Sequence, residues 1–489
     1  MADVHTVSNF VGGAFVPAAD GRTLEDQDPA TGQALTTLPR SSAADVDAAV
    51  DAARGTLADP AWAGAPAEVR ARLLDAVADG LEARLDDLAR LESLDTGKPV
   101  ALARRIDIPR AVANFRFFAG AIRHDRSDLH PMAGALNYTL RRPLGVVALV
   151  TPWNLPLYLL TWKAAPALGM GNAVVAKPSE LTPLTAHALA EVIAEVVAAV
   201  GVPPAVFNLI HGLGPEAGKP LVEHRDVRGV SFTGGTDTGR RVAAGAAPAF
   251  KKLSLELGGK NATLVFADCD LERAVEGAAR AAFTNQGQIC LCGSRILVER
   301  SIHDRFVEGL VARTRAMTVG DPRAEGTDLG ALISAAHREK VERYVDLARQ
   351  EGGTVRCGGA RPELPAPFDG GFFLEPAVVT GLHTECRTAQ EEIFGPVVTV
   401  HPFDDEAQAL AQANGVRYGL SASVWTRDLA RAHRVSAALE TGMVWVNTWL
   451  LRDLRVPFGG VKESGVGREG GRHSLEFFSE ARNVCIQLD

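Results

Sequence analysis

Two cysteines lie one residue apart in the segment TNQGQICLCGSR, residues 284–295. A cysteine thiolate is a nucleophile that attacks carbonyl carbons, whereas a buried thiol more often fills space in a core. Composition alone leaves both roles open for Cys290 and Cys292. The choice between the two roles depends on whether other side chains of the protein could assist a nucleophile.

Two polar residues have types that suit this assistance. Asn154 lies between prolines in PWNLP (152–156), where its side-chain amide could donate to a developing oxyanion. Glu256 ends an apolar strand in LELGGK (255–260), and apolar surroundings raise the pKa of a carboxylic acid into the range of a general base. Each also has a structural interpretation: the asparagine could cap its own turn, and the glutamate could lie in water at the strand end.

A glycine-rich segment could bind phosphate. FTGGTDTGR (232–240) follows a predicted strand and opens a predicted helix. Backbone amides near Gly234, Gly235 and Gly239 could therefore approach a pyrophosphate at a helix N-terminus. The spacing differs from the usual GxGxxG, and glycines in a plain strand-to-helix turn are the alternative.

A second segment could bind the sugar of a nucleotide. KPSE (177–180) follows another predicted strand, and open α/β sheets bind ligands at the carboxyl ends of their strands. Lys177 and Glu180 could hydrogen-bond the adenosine ribose hydroxyls, and a carboxylate there would repel a 2′-phosphate. This pattern favours NAD over NADP. The alternative is a solvated turn before a helix.

The elements that must position these residues alternate along the chain. Apolar residues at spacings of three and four predict helices over 43–56 and 68–92. Residue 259 marks the approximate start of a second α/β region. Short β-branched runs separated by helical stretches indicate βαβ units and a mostly parallel sheet. These runs are LGVVALV (144–150), AVVAK (173–177), AVFNLI (205–210) and GVSFT (229–233).

Seven motifs together resemble the aldehyde dehydrogenase superfamily, in family order and over essentially the whole chain. They are PWNLP, KPSE, FTGGTDTG, LELGGK, FTNQGQIC, EEIFGP (391–396) and PFGGVKESGVGRE (457–469). The resemblance implies an α/β fold with a Rossmann-like NAD-binding domain (1–124 and 146–258) and a second α/β catalytic domain (259–470). It also implies a small β oligomerisation element (125–145 and 471–489) and a homodimer or homotetramer.

The same resemblance assigns roles to individual residues. Cys290 becomes the nucleophile, Asn154 and the backbone N–H of Cys290 the oxyanion hole, and Glu256 the general base. A thiolate that is accessible near neutral pH can attack the aldehyde, and the resulting thiohemiacetal can lose hydride to NAD. The thioester that remains can be hydrolysed because a thiolate is a good leaving group. The cofactor positions are Trp153, Lys177, Glu180, Gly234, Gly235, Gly239, Leu257, Glu392 and Phe394.

Two further stretches resemble the branch of the superfamily that oxidises muconic semialdehydes: DIPRAVANFRFFAG (107–120) and VNTWLLRDLRVPFGG (446–460). In that branch the equivalents of Arg110 and Arg452 hold the distal carboxylate of the substrate, which a planar guanidinium can bind bidentately. The alternative is that they form salt bridges, since Asp107 and Asp453 lie close in sequence.

The predicted function is thus NAD-dependent oxidation of a carboxylated semialdehyde, of the 2-hydroxymuconate or 2-aminomuconate 6-semialdehyde type, to the dicarboxylic acid. One alternative is an NAD-dependent dehydrogenase of another aromatic or aliphatic aldehyde. Another is a cysteine-dependent esterase or thioesterase, since the cysteine, asparagine and glutamate could form and hydrolyse an acyl-enzyme without a cofactor. Such a hydrolase would have no use for Glu180, Glu392 or the glycine-rich segment.

Composition excludes several other classes. The 489 residues predict about two to four domains, and 46% hydrophobic with 22% charged residues is typical of globular proteins. A net charge of −8 provides no basic surface for nucleic acid. The six cysteines lack paired metal-ligand spacings, so no metal is expected.

We expect neither a secretory signal nor a membrane span from the sequence. The segment MADVHTVSNF has neither the basic nor the apolar part of a secretory signal. The most apolar stretch is interrupted by Pro152, Asn154 and Pro156, so no membrane span is expected. We therefore expect a cytoplasmic enzyme whose partners are a small aldehyde and copies of itself.

Overall fold

A sheet of eight strands forms the first half of the molecule in the computed structural model, which describes residues 6–488. Its five central strands are parallel, as predicted, and lie in the order third, second, first, fourth, fifth along the chain. In chain order they are Val146–Val150, Ala173–Lys177, Phe207–Leu209, Val227–Thr233 and Lys252–Glu256. Asn9–Val11, Ala14–Val16 and Gly465–Val466 add antiparallel edges.

The strand order reverses between Val146–Val150 and Val227–Thr233. Such a switch point opens a crevice outside the carboxyl ends of the strands, which is where open α/β sheets bind ligands. The segments PWNLP, KPSE, FTGGTDTG and LELGGK each follow one of the parallel strands and therefore share this edge. The fold brings the predicted cofactor segments together.

Helices cover both faces of this sheet because its strands are apolar on both sides. Alternate residues of one strand face opposite layers: Val146 packs with one helical layer and Val147 with the other. The first layer contains Ala43–Thr56, Lys219–Glu223 and Thr236–Ala246. The second layer contains Ala67–Glu82, Ile108–Arg123, Pro156–Gly169 and Leu184–Val200.

The helix predicted over 68–92 is two helices, Ala67–Glu82 and Leu85–Thr96. Arg84 between them has φ −110° and ψ 19°, which ends the first helix. The apolar spacing of three or four residues continues through Leu81, Leu85 and Leu88, so the sequence carries no signal of the break. Shorter helical turns at Val100–Leu102 and Ala103–Asp107 then lead into Ile108–Arg123.

A sheet of seven strands forms the second half, parallel except for one edge strand, Thr354–Cys357. Two helical layers cover it, and Asp270 caps the first of their helices by accepting from the Arg273 amide at 3.2 Å. In sheet order the other strands are Ala377–Thr380, Val397–Phe403, Arg295–Glu299, Ala262–Val265, Ser421–Trp425 and Met443–Val446. The helices are Leu271–Phe283, His303–Arg315, Ala335–Gln350, Arg387–Gln390, Glu406–Asn414 and Leu429–Ala438.

A small antiparallel sheet consists of Leu129–Met132, Ala135–Pro143 and Ser479–Gln487. The C-terminal strand pairs along its whole length with Ala135–Pro143 of its own chain, so one of its two edges is occupied. Helix Gly471–Phe477 leads into it. The domain boundaries stay a prediction; Gly465–Val466, from the predicted catalytic segment, lies in the first sheet.

Two two-stranded sheets complete the fold. Thr23–Gln27 pairs with Ala34–Pro39, and Tyr418–Gly419 pairs with Val461–Lys462. Across residues 6–488, none of the helices has both the length and the apolar character that crossing a bilayer requires.

Candidate active site

The loop that carries Cys290 begins with a sharp change of backbone conformation. Helix Leu271–Phe283 ends, and Asn285, Gln286 and Gly287 then adopt left-handed conformations with φ of 54°, 57° and 70°. A Cβ on Gly287 would lie 2.3 Å from the backbone oxygen of Gly395, so this position requires glycine. Left-handed non-glycine residues are uncommon and concentrate at functional sites.

Side-chain donors fix the carbonyls of this loop. Asn261 donates from Nδ2 to the carbonyl oxygens of Cys290 at 2.7 Å and Cys292 at 2.9 Å. The indole N–H of Trp449 donates to the carbonyl oxygen of Leu291 at 2.9 Å. Because these carbonyls are paired within the protein, the backbone that carries the Cys290 side chain has little freedom to shift.

The two thiols have different surroundings. Cys290 is partly exposed, whereas Cys292 is buried and donates from Sγ to the carbonyl oxygen of Thr284 at 3.9 Å. Burial raises the pKa of Cys292 to about 12. Burial also raises the pKa of Cys290, Glu256 adds to the increase, and Arg452 opposes it. The resting form of Cys290 is therefore a thiol, which differs from the thiolate expected near neutral pH.

Asn154 lies beside the start of this loop. It is 4% exposed, and its Nδ2 donates to the carbonyl oxygen of Gln288 at 2.8 Å. A side-chain amide carries two N–H bonds, and the structure pairs one of them within residues 6–488. The second N–H is available to an oxyanion that forms next to the cysteine loop.

Glu256 is a buried carboxylate without hydrogen-bond partners. It is 3% exposed, and neither side-chain oxygen is paired within the described residues. A Cβ on Gly459 would lie 2.7 Å from Oε1, so the glycine, at φ 148°, permits this close approach. Burial raises the pKa of Glu256 well above its usual value, repulsion from Glu469 adds to the increase, and Lys163 opposes it.

The charged neighbours of Glu256, Lys163 and Glu469, form a buried cluster with Ser231. Lys163 donates to Glu469 at 2.6 Å and to the hydroxyl of Ser231 at 2.9 Å. Ser231 also donates to Glu469, at 3.2 Å. Lys163 and Glu469 neutralise each other's charge. Glu256 is therefore the carboxyl group of this cluster that can exchange a proton with a substrate or water.

The glycine-rich segment occupies the switch point of the first sheet. Gly235 precedes helix Thr236–Ala246 with φ −70° and ψ 148°, and a Cβ there would meet no atom within 4 Å, so the helix N-terminus opens onto free space. Gly239 lies further along the helix, where a Cβ would be 2.5 Å from a methyl carbon of Leu257. The contact between Gly239 and Leu257 packs the helix against the sheet and brings the helix N-terminus close to the sheet edge.

Lys177 and Glu180 lie at the neighbouring strand end. Lys177 is 3% exposed and donates to the carbonyl oxygen of Pro178 at 2.8 Å, with a longer contact of 3.4 Å to the Glu180 carboxylate. Burial lowers the pKa of Lys177, and Glu180 opposes the decrease. Glu180 is half-buried, so its carboxylate remains open to a ribose hydroxyl.

Glu392 and Phe394 border the same crevice from the second half of the molecule, and Trp153 of the first half lies against Phe394. The amide of Gly259 donates to Glu392 Oε1 at 2.9 Å, and burial raises the pKa of this carboxyl group. The ring of Phe394, a residue with φ 61°, meets the Trp153 ring edge-on at a centroid distance of 5.4 Å. The third ring, His337, donates from Nε2 to the Phe394 carbonyl oxygen at 2.7 Å and lies 5.2 Å from Trp153.

His337 is a residue that sequence reasoning missed. No quoted motif contains it, and its signal in the sequence is one histidine near the start of helix Ala335–Gln350. Burial lowers the pKa of His337 to about 4, so its ring is neutral at pH 7 and holds Phe394 through a single N–H donor.

Arg452 is the most constrained cation near the cysteine. Its guanidinium carbon lies 4.5 Å from the ring centre of Trp162 and 4.0 Å from that of Phe458, so two aromatic faces hold it. Nη1 donates to the hydroxyl of Tyr158 at 3.2 Å. Nε and Nη2 are buried and have no partner among residues 6–488. These two nitrogens share one edge of the guanidinium, the edge that binds a carboxylate bidentately.

Arg110 converges on the same tyrosine. Its guanidinium carbon lies 5.6 Å from the ring centre of Tyr158. Within residues 6–488 neither arginine forms a salt bridge to the neighbouring aspartates: Asp107 pairs with Lys98 at 2.7 Å and Asp453 with Arg455 at 2.6 Å. Arg110 acts on Asp453 at longer range, where it helps to lower the pKa of that carboxyl group. Both candidate arginines are left without a carboxylate partner in the described part of the chain.

Within residues 6–488, no group of three or more histidine, cysteine, aspartate or glutamate side chains is arranged to hold a metal ion. The chemistry available to the site is that of a thiol, a buried carboxylic acid, an amide donor and two guanidinium groups.

The family model described as "Aldehyde dehydrogenase family" matches residues 15–484. The chain belongs to the aldehyde dehydrogenase family. Among aldehyde dehydrogenases it is 49% identical to 2-hydroxymuconic semialdehyde dehydrogenase of Pseudomonas sp. (strain CF600) over 99% of both chains. It is 48% identical to 2-aminomuconic semialdehyde dehydrogenase of Danio rerio over 98% of both chains.

A solved aldehyde dehydrogenase has the same fold. The NAD+ complex of the enzyme from Bacillus cereus is 38% identical, with a TM-score of 0.96 over 99% of this chain and 97% of the other.

Proposed function

We propose that this aldehyde dehydrogenase oxidises a semialdehyde that bears a distal carboxylate, of the 2-hydroxymuconate or 2-aminomuconate 6-semialdehyde type, to the dicarboxylic acid with NAD as acceptor. The observation that carries the proposal is the unpaired Nε and Nη2 edge of Arg452. A buried cation without a carboxylate partner is costly, and a substrate carboxylate supplies the missing partner. The names of the two curated relatives quoted above support the same substrate class.

Cys290, Asn154 and Glu256 divide the chemistry between them. The Cys290 thiol gives up its proton to water, and the resulting Sγ thiolate attacks the aldehyde carbon, which turns the carbonyl oxygen into an oxyanion. The free N–H of Asn154 and the amide of Cys290 stabilise this oxyanion. When it collapses, the C–H bond breaks, hydride departs and a thioester on Cys290 remains.

Hydrolysis of the thioester needs a base. Glu256, once deprotonated, accepts a proton from water as the water oxygen attacks the thioester carbon. The carbon–sulfur bond then breaks and releases the dicarboxylic acid and the thiolate. Because burial holds the Glu256 pKa high, the carboxylate is a stronger base than an exposed glutamate would be.

The residues at the carboxyl edge of the first sheet fit a dinucleotide. Gly234, Gly235 and the helix N-terminus would hold the pyrophosphate, and Lys177 and Glu180 the adenosine ribose. NAD, when bound, supplies the acceptor for the hydride. Glu392, Phe394 and Trp153 would hold the nicotinamide half. Gly239 and Leu257 would serve by packing the helix onto the sheet.

We also propose that the enzyme is a homo-oligomer joined through the three-stranded sheet. The strand Ser479–Gln487 has a second edge that no strand within residues 6–488 occupies. Leu129, Met132, Leu140 and Ile486 on this sheet are exposed large apolar side chains. Such a surface is typical of an association site.

A panel of aldehydes with and without a distal carboxylate, each assayed with NAD and NADP, tests the proposed function. We expect kcat/KM to be highest for 2-hydroxymuconate 6-semialdehyde with NAD, measured as loss of the semialdehyde's visible absorbance. Efficient oxidation of neutral aliphatic aldehydes without turnover of the semialdehyde would contradict it. Hydrolysis of an activated ester without NAD, faster than any aldehyde oxidation, would favour a thioesterase.

A further inference from the structure

Lys98 is a fully buried cation beside the catalytic segment, and its role goes beyond the residues assigned above. Its side chain is 0% exposed and follows Gly97, which ends helix Leu85–Thr96 at φ 73°. Nζ lies 2.7 Å from Asp107 Oδ2 and 3.0 Å from the backbone oxygen of Asn154. A buried ammonium is tolerated only when it is paired and hydrogen-bonded, and here one of its partners is the residue that carries the oxyanion donor.

Two donors converge on the Asn154 carbonyl. Besides Lys98 Nζ, Asn285 donates to it from Nδ2 at 3.2 Å. Asn285 also donates to the carbonyl oxygen of Gln288, at 3.3 Å, and Asn154 Nδ2 donates to the same oxygen. The main chain of Asn154 is therefore tied to Lys98 on one side and to the cysteine loop on the other, and these bonds together determine where its free N–H lies.

Asp107 anchors the other end of this arrangement. It is 1% exposed and ends the π-helical turn Ala103–Asp107, which leads directly into helix Ile108–Arg123. Single π turns inside helices are frequent at functional sites because they re-aim side chains. Here the turn points Asp107 at Lys98, while Arg110 on the following helical turn lies over Tyr158.

Glu92 gives the cluster a second carboxylate, at a longer distance from the ammonium. Its Oε1 lies 3.8 Å from Lys98 Nζ, and its Oε2 accepts from the hydroxyl of Thr185 at 2.7 Å. With Asp107 as the short contact and Glu92 as the longer one, the ammonium is charge-balanced without the Asn154 carbonyl. The bond to Asn154 is therefore an additional interaction that orients the backbone of the oxyanion segment.

We propose that Lys98 is a positioning residue for the oxyanion hole: anchored by Asp107, it holds the backbone of Asn154 so that the free side-chain N–H meets the oxyanion formed at Cys290. The inference rests on the role of Asn154 in the proposed function. It does not depend on which aldehyde is oxidised, because every aldehyde attacked by Cys290 passes through the same oxyanion.

A double-mutant cycle tests this proposal with the full-length enzyme. Lys98→Met is made alone and together with Asn154→Ala, and kcat is measured with a neutral aldehyde and with a carboxylated semialdehyde. We expect Lys98→Met to lower kcat about tenfold or more in the otherwise native enzyme with both substrates. In the Asn154→Ala background we expect it to cost less than about twofold, because the donor it positions is already gone.

Two further variants keep the test decisive. Lys219→Met, the same change at an exposed lysine, should leave kcat unchanged. If Lys98→Met does not fold, Asp107→Asn, which keeps an acceptor for Nζ but removes the anchoring charge, goes through the same cycle. NAD affinity and the thermal unfolding temperature are measured for every variant.

An equal loss of kcat in both backgrounds would overturn the proposal, since a merely structural lysine costs the same with or without Asn154. Native kcat in a folded Lys98→Met enzyme would overturn it as well. If the neutral aldehyde shows the expected coupling while the semialdehyde is not turned over, the substrate assignment fails and the role of Lys98 stands.

Discussion

The amide of Gly234 donates a hydrogen bond to the backbone oxygen of Glu256 at 3.0 Å. The two residues end neighbouring parallel strands, Val227–Thr233 and Lys252–Glu256. One belongs to the predicted phosphate loop and the other is the proposed general base. In the proposed mechanism, cofactor binding and thioester hydrolysis therefore depend on adjacent strand ends of one sheet.

Replacing Glu256 by Gln removes the base for hydrolysis and retains the shape of the side chain. We expect the first turnover to produce NADH as a burst, followed by a steady state at least about a hundredfold slower than native, because the thioester on Cys290 accumulates. Rapid-mixing absorbance of NADH measures both phases. A first turnover slowed as much as the steady state would instead make Glu256 the base that deprotonates Cys290.

The pH dependence of kcat follows from the raised pKa of Glu256. Below that pKa the group is a neutral acid and cannot accept a proton, so kcat falls as the pH falls. Glu469→Gln removes a repulsive charge and keeps an acceptor for Lys163, so the pKa of Glu256 falls. The acidic limb of the profile, where kcat decreases with pH, should therefore move to lower pH. The pH profile of kcat measures this shift, with Glu480→Gln at an exposed position as the control. A limb that moves upward would contradict the assigned repulsion.

The two thiols are separated by a pair of alanine variants. Cys290→Ala should abolish aldehyde oxidation, whereas Cys292→Ala should keep kcat within several-fold of native and lower thermal stability, because Cys292 packs in the core. Initial rates of NADH formation and thermal unfolding check both statements. Loss of activity in a folded Cys292→Ala enzyme would assign that thiol a catalytic part.

Much of the site could be predicted because each residue follows a visible strand. Lys177 and Glu256 end short apolar strands and Gly234 follows a third, and the carboxyl ends of parallel strands meet at one edge. That local rule needs no knowledge of packing. The parallel first sheet was predicted on the same basis and is confirmed.

Residues that act across the fold could not be predicted in the same way. Tyr158 is a lone phenol in the otherwise apolar segment PLYLLTW, and its relation to Arg110 and Arg452 depends on how three separate segments pack. The raised pKa of the Cys290 thiol could not be predicted either, because its main cause is burial, which depends on how the whole chain folds. The left-handed turn has a weak local signal in Asn285 and Gly287, but the loop is also held by distant donors such as Asn261.

Cofactor choice should depend on Glu180. Its carboxylate repels a 2′-phosphate, so Glu180→Gln should lower KM for NADP about tenfold while raising KM for NAD more modestly. Steady-state kinetics with each cofactor and a saturating aldehyde measure both effects. An unchanged ratio of the two KM values would mean that another residue excludes the phosphate.

The central claim concerns the free edge of Arg452, and one comparison tests it most directly. Arg452→Met keeps an apolar chain between the rings of Trp162 and Phe458 but removes all donors. Arg455→Met, at a surface pair with Asp453, is the matched control. The quantity measured is kcat/KM for 2-hydroxymuconate 6-semialdehyde and for a neutral aldehyde of similar size, both with NAD.

Hydrogen bonds between charged groups contribute about 1.5–3 kcal/mol each, so losing the bidentate pair should lower kcat/KM for the semialdehyde about a hundredfold. The neutral aldehyde should lose less than about threefold, and the Arg455 variant should match the native enzyme with both substrates. An equal loss for both aldehydes in the Arg452 variant would contradict the assignment of this arginine to the substrate carboxylate.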